Sequence, residues 1–517
     1  SNQSLLFLKH KNSRKIMRNI FKVFLLVTIV LSSCSKNELV ELPITTTSPK
    51  ALDYYKKALD YYLTTDFQEG FGMLDSALSF DSDFAMASLI RWHPDPDVRT
   101  KNRKKAYSLI DKVSKAEQYI LLSNKFEDAG NLDSALYYIK KLVAEYPDSY
   151  QAHNELGLIY GTRNNLSLSE KAFKKAIDLN QKNYQAYTYL FGQHVTYGYY
   201  YLLPEENRDV NKGLEYAEKL IKIKPNRAHG YHCKANCYRQ IGEFEKAIPL
   251  YDKSVEMSKG TISEAAEIYV SGHNLMFAGD FDKARERYRT ALSVVKDIDT
   301  EQSIKTFITI SHLFQRNFEG ALDNLYSMKN DLVAKKELTE SYFLSESREI
   351  ERLKFICYAH NQMEAEAKKS LDETIRLNEK LVLMMQDESS LKDHSVYKVY
   401  LNAWNDILFG NYTAAEERLA ELNELAGSYQ SPTAFYGYYG LMGMLQLMEG
   451  NPQDAEQLFQ KGDKRETYFN YFKALALKAN GKKEKAKEIL SAISSENFSY
   501  LELSLVKGLS QDQLQKL

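Results

Sequence analysis

The sequence predicts an all-α fold in which antiparallel pairs of helices stack into a solenoid. A pattern of bulky and small residues recurs about every 34 residues, and this interval separates Ala135 from Ser169 and Gly213 from Ala247. Turns that contain glycine precede many of the small residues. The chain also lacks the long alternation of apolar and polar residues that is typical of strands. Units of this length cannot bury their apolar faces alone, so they stack and bury them between neighbours.

A small residue marks the start of the second helix in each predicted pair. Two helix backbones approach closely at that point, and only a small side chain fits between them. A generic helical bundle, which is the alternative, would not keep a regular interval between such positions. The small residues are Gly70, Ala135, Ser169, Gly213, Ala247, Ala284, Ala321, Ala367, Ala415, Ala455 and Ala486.

Glycine-containing turns are predicted to connect the two helices of a pair. Glycine is suited to the left-handed residue that ends a helix, and the polar residue beside it can cap the next helix. Proline follows two of the second helices, at Pro147 and Pro225, and stops them there. The turns lie at residues 129–132, 241–244, 278–281, 409–412, 449–452 and 480–483.

The spacing of the bulky and small positions resembles the tetratricopeptide repeat. This resemblance covers about residues 51–497 and implies a right-handed superhelix of about ten to twelve helix pairs. It also implies that a protein or peptide binds along the concave face, which the first helices form. The matching positions are Tyr119, Phe126, Ala135, Ile139, Leu142 and Pro147, then Tyr231, Ala235, Tyr238, Ala247, Tyr251 and Ser254, and then Ile268, Gly272, Leu275, Ala284, Tyr288 and Ala291.

The resemblance places a set of polar and aromatic residues on the concave face. Clamp-type members of the family hold a C-terminal carboxylate with Lys, Asn and Arg, but the full pattern is missing here, so that function is not transferred. We expect recognition within residues 183–277, where rigid aromatic side chains combine with polar anchors. The candidate partner-binding residues are Asn154, Gln185, Tyr199, Tyr200, His229, His232, Asn236, Arg239, Tyr269 and His273.

Two features of this face have alternative interpretations. Its histidines could make binding sensitive to mild acid, or they could be solvated groove residues. The tyrosine-rich stretch at residues 197–201 belongs to an insertion of about ten residues relative to the usual period. It either contacts the partner or packs against the array.

The N-terminus resembles that of a bacterial lipoprotein. Basic residues precede a short apolar run that ends in Leu31, Ser32, Ser33 and Cys34, and this run is too short to span a membrane. We expect residues 1–33 to be a signal peptide that starts at Met17, and Cys34 to be the lipidated residue. The alternatives are an ordinary signal peptide or an uncut anchor. The expected location is the bacterial outer membrane, and the residues after Cys34 leave open which side the protein faces.

The remaining chain divides into four predicted regions. Residues 34–50 are predicted to be a flexible tether, because residues 39–50 lack helical periodicity. Residues 51–330 form an N-terminal solenoid, with a degenerate unit between residues 84 and 113. Residues 331–394 form an irregular helical joint, because the intervals between small residues grow to 46 and 48 there. Residues 395–517 form a second solenoid, which a helix at 499–507 caps.

The sequence contains no catalytic motif, and we predict neither enzymatic activity nor a cofactor. Cys233 and Cys237 lie near His229 and His232 on one predicted helix, but consecutive turns of a single helix cannot surround a metal ion. We interpret these cysteines as buried packing residues. Three glycines at 437, 440 and 443 are predicted to permit close helix contact.

Charge argues against a nucleic-acid partner. The chain has 68 basic and 69 acidic side chains, and we find no basic stripe outside residues 1–33. A small-molecule ligand is not expected either. The leading hypothesis is a lipid-anchored adaptor or scaffold that binds a protein or peptide at the bacterial envelope. The alternative is a surface lipoprotein that captures glycans or peptides for an outer-membrane transporter.

Overall fold

The computed structural model describes residues 39–64, 67–91, 96–195, 209–385, 388–429 and 431–517. These ranges contain twenty-five α-helices and no strand. We number the helices in chain order, so that each odd helix and the even helix after it form one pair. Pairs one to six are α1 Pro49–Leu63 and α2 Phe67–Phe80, α3 Ala85–Ile90 and α4 Pro96–Ser108, α5 Lys115–Asp128 and α6 Leu132–Glu145, α7 Tyr150–Thr162 and α8 Leu166–Leu179, α9 Tyr184–Val195 and α10 Val210–Ile223, α11 Ala228–Gln240 and α12 Phe244–Ser258.

The second half of the described chain continues the same plan and ends in a single helix. Short 3-10 turns lie at Ile110–Lys112 and Pro432–Phe435. Pairs seven to twelve and the last helix are α13 Glu264–Phe277 and α14 Phe281–Val294, α15 Ile298–Phe314 and α16 Phe318–Ala334, α17 Glu340–His360 and α18 Glu364–Met385, α19 Glu388–Leu408 and α20 Tyr412–Gly427, α21 Tyr436–Met448 and α22 Pro452–Lys461, α23 Thr467–Ala479 and α24 Lys483–Ser495, and α25 Leu501–Leu514.

The small residues lie where the sequence predicts them, in the second helix of their pair, and all eleven are buried. The closest approach is at Gly213 in α10. A Cβ atom there would lie 2.1 Å from Cγ2 of Val195 in α9, which no real contact allows. The helix pair can therefore close only because this position has no side chain.

The turns within pairs confirm the predicted role of glycine. Gly130, Gly242, Gly279, Gly410, Gly450 and Gly481 all have positive φ. At Gly130 the next amide, that of Asn131, donates to the carbonyl of Phe126 across the end of α5, as in a Schellman motif. Three other pairs make the same turn without glycine. Asn164, Arg316 and Gln362 occupy the left-handed position there.

The irregular stretches keep the pairwise plan but change helix length. The degenerate unit consists of α3, which has 6 residues, and α4, which has 13. The wide intervals after Ala321 arise because α17, α18 and α19 are 21 or 22 residues long. One apolar core runs without interruption from Leu313 to Val506 and crosses residues 331–394. The division into two solenoids with a joint stays a prediction.

The C-terminal end folds back onto the middle of the chain. α25 packs against α24 and α23, as a capping helix does, and it also packs against α15. The side chain of Asn497, just before α25, donates to the carbonyls of Arg239 and Gln240 at the end of α11. An ion pair of 3.5 Å joins Arg316 to Asp512. The last helix therefore caps the array and also holds two distant parts of it together.

The N-terminal end also folds onto the array, and this corrects the prediction of a flexible tether over residues 34–50. Residues 41–47, which we call the strap, lie extended along the N-terminal ends of α3, α5 and α7. The amide of Leu42 donates to Gln151 at 2.6 Å, and Leu42 is buried in the apolar core. Residues 34–38 lie outside the described part of the chain.

Side-chain acceptors hold the rest of the strap. The amide of Thr45 donates to both carboxylate oxygens of Glu117 at 3.0 Å, and its hydroxyl donates to Oε2 at 2.5 Å. Thr46 and Thr47 donate to Asp81 at 2.6 and 2.8 Å. Backbone amides that are partly removed from water need acceptors. The side chains of Gln151, Glu117 and Asp81 supply them, so that the strap is part of the fold.

No helix within the described ranges is both long and apolar enough to cross a membrane.

Candidate functional site

Eight of the ten candidate binding residues lie on first helices, as predicted. Asn154 is on α7, Gln185 is on α9, four are on α11 and two are on α13. Tyr199 and Tyr200 lie outside the described residues. The four residues of α11 are His229, His232, Asn236 and Arg239, and those of α13 are Tyr269 and His273.

Asn154 is part of a buried network of amides. Its side chain donates to Oδ1 of Asn183 at 3.2 Å and to Oε1 of Gln185 at 2.8 Å. Asn183 donates back to Oδ1 of Asn154 at 2.9 Å. Both asparagines are buried and Gln185 is half-buried. This network joins α7 to the start of α9, and its groups are therefore committed to holding two neighbouring pairs together.

His229 and His232 contact the two first helices that flank α11, α9 and α13 respectively. Nδ1 of His229 lies 2.8 Å from the hydroxyl of Tyr184, and burial lowers the pKa of His229 to about 3. Nδ1 of His232 lies 2.7 Å from Oε2 of Glu267 on α13. Burial alone would raise the pKa of Glu267. The charge and hydrogen bond of His232, with the hydroxyl of Ser254, lower it instead.

The remaining candidates surround two buried tyrosines. Tyr251 donates to Oδ1 of Asn236 at 2.6 Å, and the guanidinium of Arg239 lies 6.0 Å from the ring of Tyr251. Nδ1 of His273 lies 2.8 Å from the hydroxyl of Tyr288. Burial holds the pKa of His273 well below its usual range, and the charge of Arg239 adds to that effect.

These contacts correct the interpretation of the histidines as solvated groove residues. His229 is 6% exposed and His273 is 5% exposed, and both stay neutral in mild acid because burial disfavours their charged forms. Arg239 and Asn154 are buried as well. Gln185, His232, Asn236 and Tyr269 are half-buried. The predicted face is therefore largely a packing surface.

The first helix of the chain covers part of this face. Asp60 of α1 forms an ion pair with Lys224 and another with Arg227 at 3.0 Å, just before α11. Leu63 packs against the apolar cluster that includes Tyr184 and Cys233. We call the strip of first helices from α3 to α11, which the strap and α1 cover, the N-terminal groove.

Two smaller predictions about this region are confirmed. Cys233 and Cys237 are buried in the core, and burial raises the pKa of Cys237 to about 12 and that of Cys233 well above its usual value. Close packing also accounts for the later glycines. A Cβ at Gly440 would lie 2.3 Å from the ring of Phe469, and one at Gly443 would lie 2.8 Å from the ring of Phe459.

An open groove runs along α19 in the C-terminal half of the molecule. A cavity of about 560 Å³ lies between α17, α18 and α19, and a second of about 440 Å³ lies between α19 and the end of α20. The two cavities share Asp393 and Tyr397, so we treat them as one surface and call it the α19 groove. Its other lining residues include Arg348, Glu349, Arg352, Asn378, Val382 and His394 in the first cavity, and Val396, Tyr400, Ala426, Tyr429 and Thr433 in the second.

Hydrogen bonds organise the polar groups of the first cavity. Arg352 donates to both oxygens of Glu349 at 2.8 and 2.6 Å. Arg348 donates to Oδ1 of Asn378 at 2.9 Å, and Nδ2 of Asn378 lies 2.8 Å from Nδ1 of His394. Planar guanidinium groups held in this way are pre-organised, so little entropy is lost when they bind.

The second cavity is aromatic and its walls are also fixed. The hydroxyl of Tyr429 donates to Asp393 at 2.6 Å, and the ammonium of Lys392 lies 3.8 Å from the centre of the Tyr429 ring. Tyr397 and Tyr400 are half-buried and face the same space. Rigid aromatic side chains with polar neighbours are typical of binding surfaces.

Large apolar side chains protrude beside the first cavity. Leu383 is 59% exposed and Met385 is 64% exposed, and Met384 and Leu391 are also exposed. Exposed apolar side chains that lie next to one another mark interaction surfaces more often than isolated ones do. The irregular spacing of the sequence here predicts a joint. The groove was not predicted, because its lining residues come from four helices and from the segment after α20 and share no local pattern.

The fold and these surfaces define a class of protein, a solenoid of stacked helix pairs with concave faces. Residues 121–184 and residues 234–271 each match a family model described as tetratricopeptide repeat. These two segments of the chain are therefore tetratricopeptide repeats, and such repeats generally mediate contacts between proteins.

A curated relative matches part of the chain at low identity. Human Superkiller complex protein 3 is 22% identical over 177 residues, which are 32% of this chain and 11% of that protein. The chain thus spans about a tenth of the length of this curated relative. Any activity of the whole relative is not evidence about this chain.

Solved structures of repeat proteins overlap loosely with the chain. MamA from Desulfovibrio magneticus RS-1 is 18% identical and covers 35% of this chain and 95% of its own, with a TM-score of 0.28. The type IV pilus biogenesis factor PilW is 14% identical and covers 43% of this chain and 96% of its own, with a TM-score of 0.33. A tetratricopeptide repeat protein from Parabacteroides merdae is 14% identical and covers 73% and 98%, with a TM-score of 0.30. At these TM-scores, none of them bears on what this chain binds.

Proposed function

We propose that this protein is a lipid-anchored scaffold, not an enzyme, that binds a protein or peptide partner at the bacterial envelope. Two features support the proposal. The repeats belong to a family that generally mediates protein contacts, and Cys34 follows an apolar run that ends in Leu31, Ser32 and Ser33. The lipid localises the solenoid, and the solenoid holds the partner.

The α19 groove is the surface on which we place the partner. The observation that carries this choice is the difference in cover: the chain's own strap and α1 lie over the N-terminal groove, whereas Tyr397 and Met385 border open cavities. The charges of the two arginines in the first cavity are balanced by those of Glu349 and Asp393. We therefore do not expect a strongly charged partner. The occupant we infer is a peptide segment with large apolar side chains, because flexible methionines adapt to such shapes and rigid tyrosines offer a large contact area.

Mass spectrometry of the protein, purified from membranes of the organism that produces it, tests the lipid anchor. We expect the N-terminal peptide to begin at Cys34 and to carry acyl chains. The Cys34→Ser variant should lose the acyl mass and leave the membrane fraction. An unmodified N-terminal peptide in the wild-type protein would rule out the anchor.

The binding surface is tested by placing a photo-reactive amino acid at position 397 of the anchored protein. We expect one envelope protein to be cross-linked from position 397, and we expect Met385→Glu to abolish that product by placing a charge among apolar side chains. The matched control is position 137, because Tyr137 is also a partly exposed tyrosine. If position 137 yields the same product, or if Met385→Glu has no effect, the partner binds elsewhere.

A further inference from the structure

One helix of the described chain is unusually basic. α4 carries Arg99, Lys101, Arg103, Lys104 and Lys105 within 13 residues. This run corrects the expectation that no basic stripe lies outside residues 1–33. The lysines at 112 and 115 follow shortly after the helix. This part of the surface is therefore locally positive, although the whole chain is nearly neutral.

Only some of these charges are balanced by neighbours. Arg103 pairs with Asp128 at 2.6 Å, and Lys105 lies 3.7 Å from Asp83. Lys101, Lys104 and Lys112 are exposed, and they form no ion pair with any residue that the structure describes. These three ammonium groups are the ones that an anionic surface would meet first.

The strap lies beside this basic helix. Thr46 and Thr47 bind Asp81, and the ammonium of Lys105 donates to the carbonyl of the next residue, Ser82. The amide of Ser114, close to Lys112, donates to the hydroxyl of Thr45 at 2.9 Å. The strap and the unpaired lysines therefore lie along the same edge of the solenoid, which we call the basic edge.

The docked strap also limits how far this edge can be from a lipid at Cys34. Four residues lie between Cys34 and Leu39, which is 50% exposed, and a fully extended chain spans at most about 18 Å from Cys34 to Leu39. A flexible tether over residues 34–50 would reach about three times as far and would leave the orientation free. With the strap in place, the lipid holds one particular edge near the bilayer.

We propose that the basic edge lies against the membrane and binds the headgroups of anionic phospholipids. The orientation argument rests on the proposed lipidation of Cys34, whereas the charge argument does not. Lysines attract an anionic membrane surface within about one Debye length, roughly 10 Å at 0.1 M salt. The short reach from Cys34 brings Lys101, Lys104 and Lys112 towards that distance.

The test uses the chain from Ser35 onward, which keeps every described residue and has no lipid. Vesicles of phosphatidylcholine are compared with vesicles that also contain phosphatidylglycerol. We expect binding to the anionic vesicles at least tenfold tighter, weakening as salt rises. The combined variant Lys101→Glu, Lys104→Glu and Lys112→Glu should lose this preference. Reversal of Lys483, Lys485 and Lys487, which are exposed on the distant α24, should leave it intact.

Three outcomes would overturn the proposal. Equal binding to the two kinds of vesicle would do so, as would an equal loss in the two triple variants. The third outcome comes from a competition experiment in which duplex DNA is added to protein bound to anionic vesicles. If DNA displaces the protein at a phosphate concentration below that of the vesicles, the basic edge is a nucleic-acid surface. Because the tested chain lacks Cys34, each of these results is independent of whether the native protein is lipidated.

Discussion

The N-terminal groove lies on first helices, whereas the α19 groove lies between the first helices α17 and α19 and the second helices α18 and α20. The two grooves also differ in what covers them. In the N-terminal groove, the strap and α1 cover the first helices, and Asn154 and His229 are buried. In the α19 groove, cavities remain between the helices, and Leu383 and Met385 protrude beside them.

The difference teaches that position within a repeat decides which face a side chain is on, but not whether that face is free. Asn154 and Tyr397 both lie on first helices. Asn154 holds neighbouring pairs together, whereas Tyr397 borders a cavity. Candidate binding residues chosen by repeat position alone are therefore a mixture of structural and accessible groups.

The largest predicted effect comes from removing the main acceptor of the strap, with the change Glu117→Ala. Glu117 is fully buried and accepts hydrogen bonds from the amide and hydroxyl of Thr45 and from the amide of Ser114. The substitution leaves the amide and the hydroxyl of Thr45 without this acceptor, and we expect the free energy of unfolding to fall by about 3 kcal/mol. Amide hydrogen exchange at Thr45 should become fast.

The matched control for this change is Glu145→Ala. Glu145 is exposed and accepts a single hydrogen bond, from Tyr119, so we expect its loss to change stability by less than about 0.5 kcal/mol. Cross-linking from position 397 should be unchanged in both variants, because the α19 groove is far along the chain. Slow exchange at Thr45 in the Glu117→Ala protein would show that the strap does not depend on this carboxylate.

The second prediction concerns acid and the buried His229. Its pKa is about 3 in the folded protein and about 6.5 in the unfolded chain. Between these values the unfolded chain binds a proton that the folded protein does not, so stability falls as pH decreases below 6.5. His229 alone should reduce the free energy of unfolding by about 2 kcal/mol from pH 6.5 to pH 5.

This effect is measured as the difference in pH dependence between the wild-type protein and His229→Gln. The difference is needed because burial raises the pKa of Glu155 to about 7, and that group changes stability in the opposite direction. Denaturant titrations at pH 7, 6 and 5 should show a shallower loss of stability in the variant. The control His394→Gln changes a half-buried histidine of the α19 groove. Equal slopes in wild type and His229→Gln would mean that His229 is solvated after all.

The sequence predicted what depends on local spacing and missed what depends on distant partners. Positions such as Gly213 and Gly410 are visible because each repeat needs a small residue or a left-handed turn at a regular interval. The strap was predicted to be flexible because residues 39–47 have no helical periodicity. Its acceptors, Asp81, Glu117 and Gln151, lie between 34 and 109 residues away, and no local pattern pairs them.

The candidate site was predicted only in part, also because burial depends on residues that are distant in the sequence. Asn154, His229 and Arg239 were placed correctly on first helices, but their burial depends on α1 and on neighbouring pairs, which the repeat pattern does not report. The α19 groove arises where α17, α18 and α19 are longer than the other helices. Sequence spacing revealed the extra length without showing that the longer helices leave space between them.

The smallest predicted effect tests whether the two halves share the same turns even though their grooves differ. Gln362, between α17 and α18, and Asn164, between α7 and α8, have φ of 59° and 57°, where a side chain is strained and glycine is not. Both are exposed. We expect Gln362→Gly to stabilise the protein by about 0.5–1 kcal/mol, and Asn164→Gly by less, because asparagine tolerates this conformation better.

The reverse substitutions provide the control, with one glycine from each half. Gly130→Ala and Gly410→Ala change residues with φ of 72° and 77° where an added Cβ would touch no neighbour within 4 Å. The backbone conformation alone should therefore destabilise each variant by about 1 kcal/mol. Thermal unfolding of all four variants measures these changes. Similar stability changes in the two halves would show that the halves share the same turns and differ in what covers their grooves. If Gln362→Gly does not change stability, the turn after α17 is not strained.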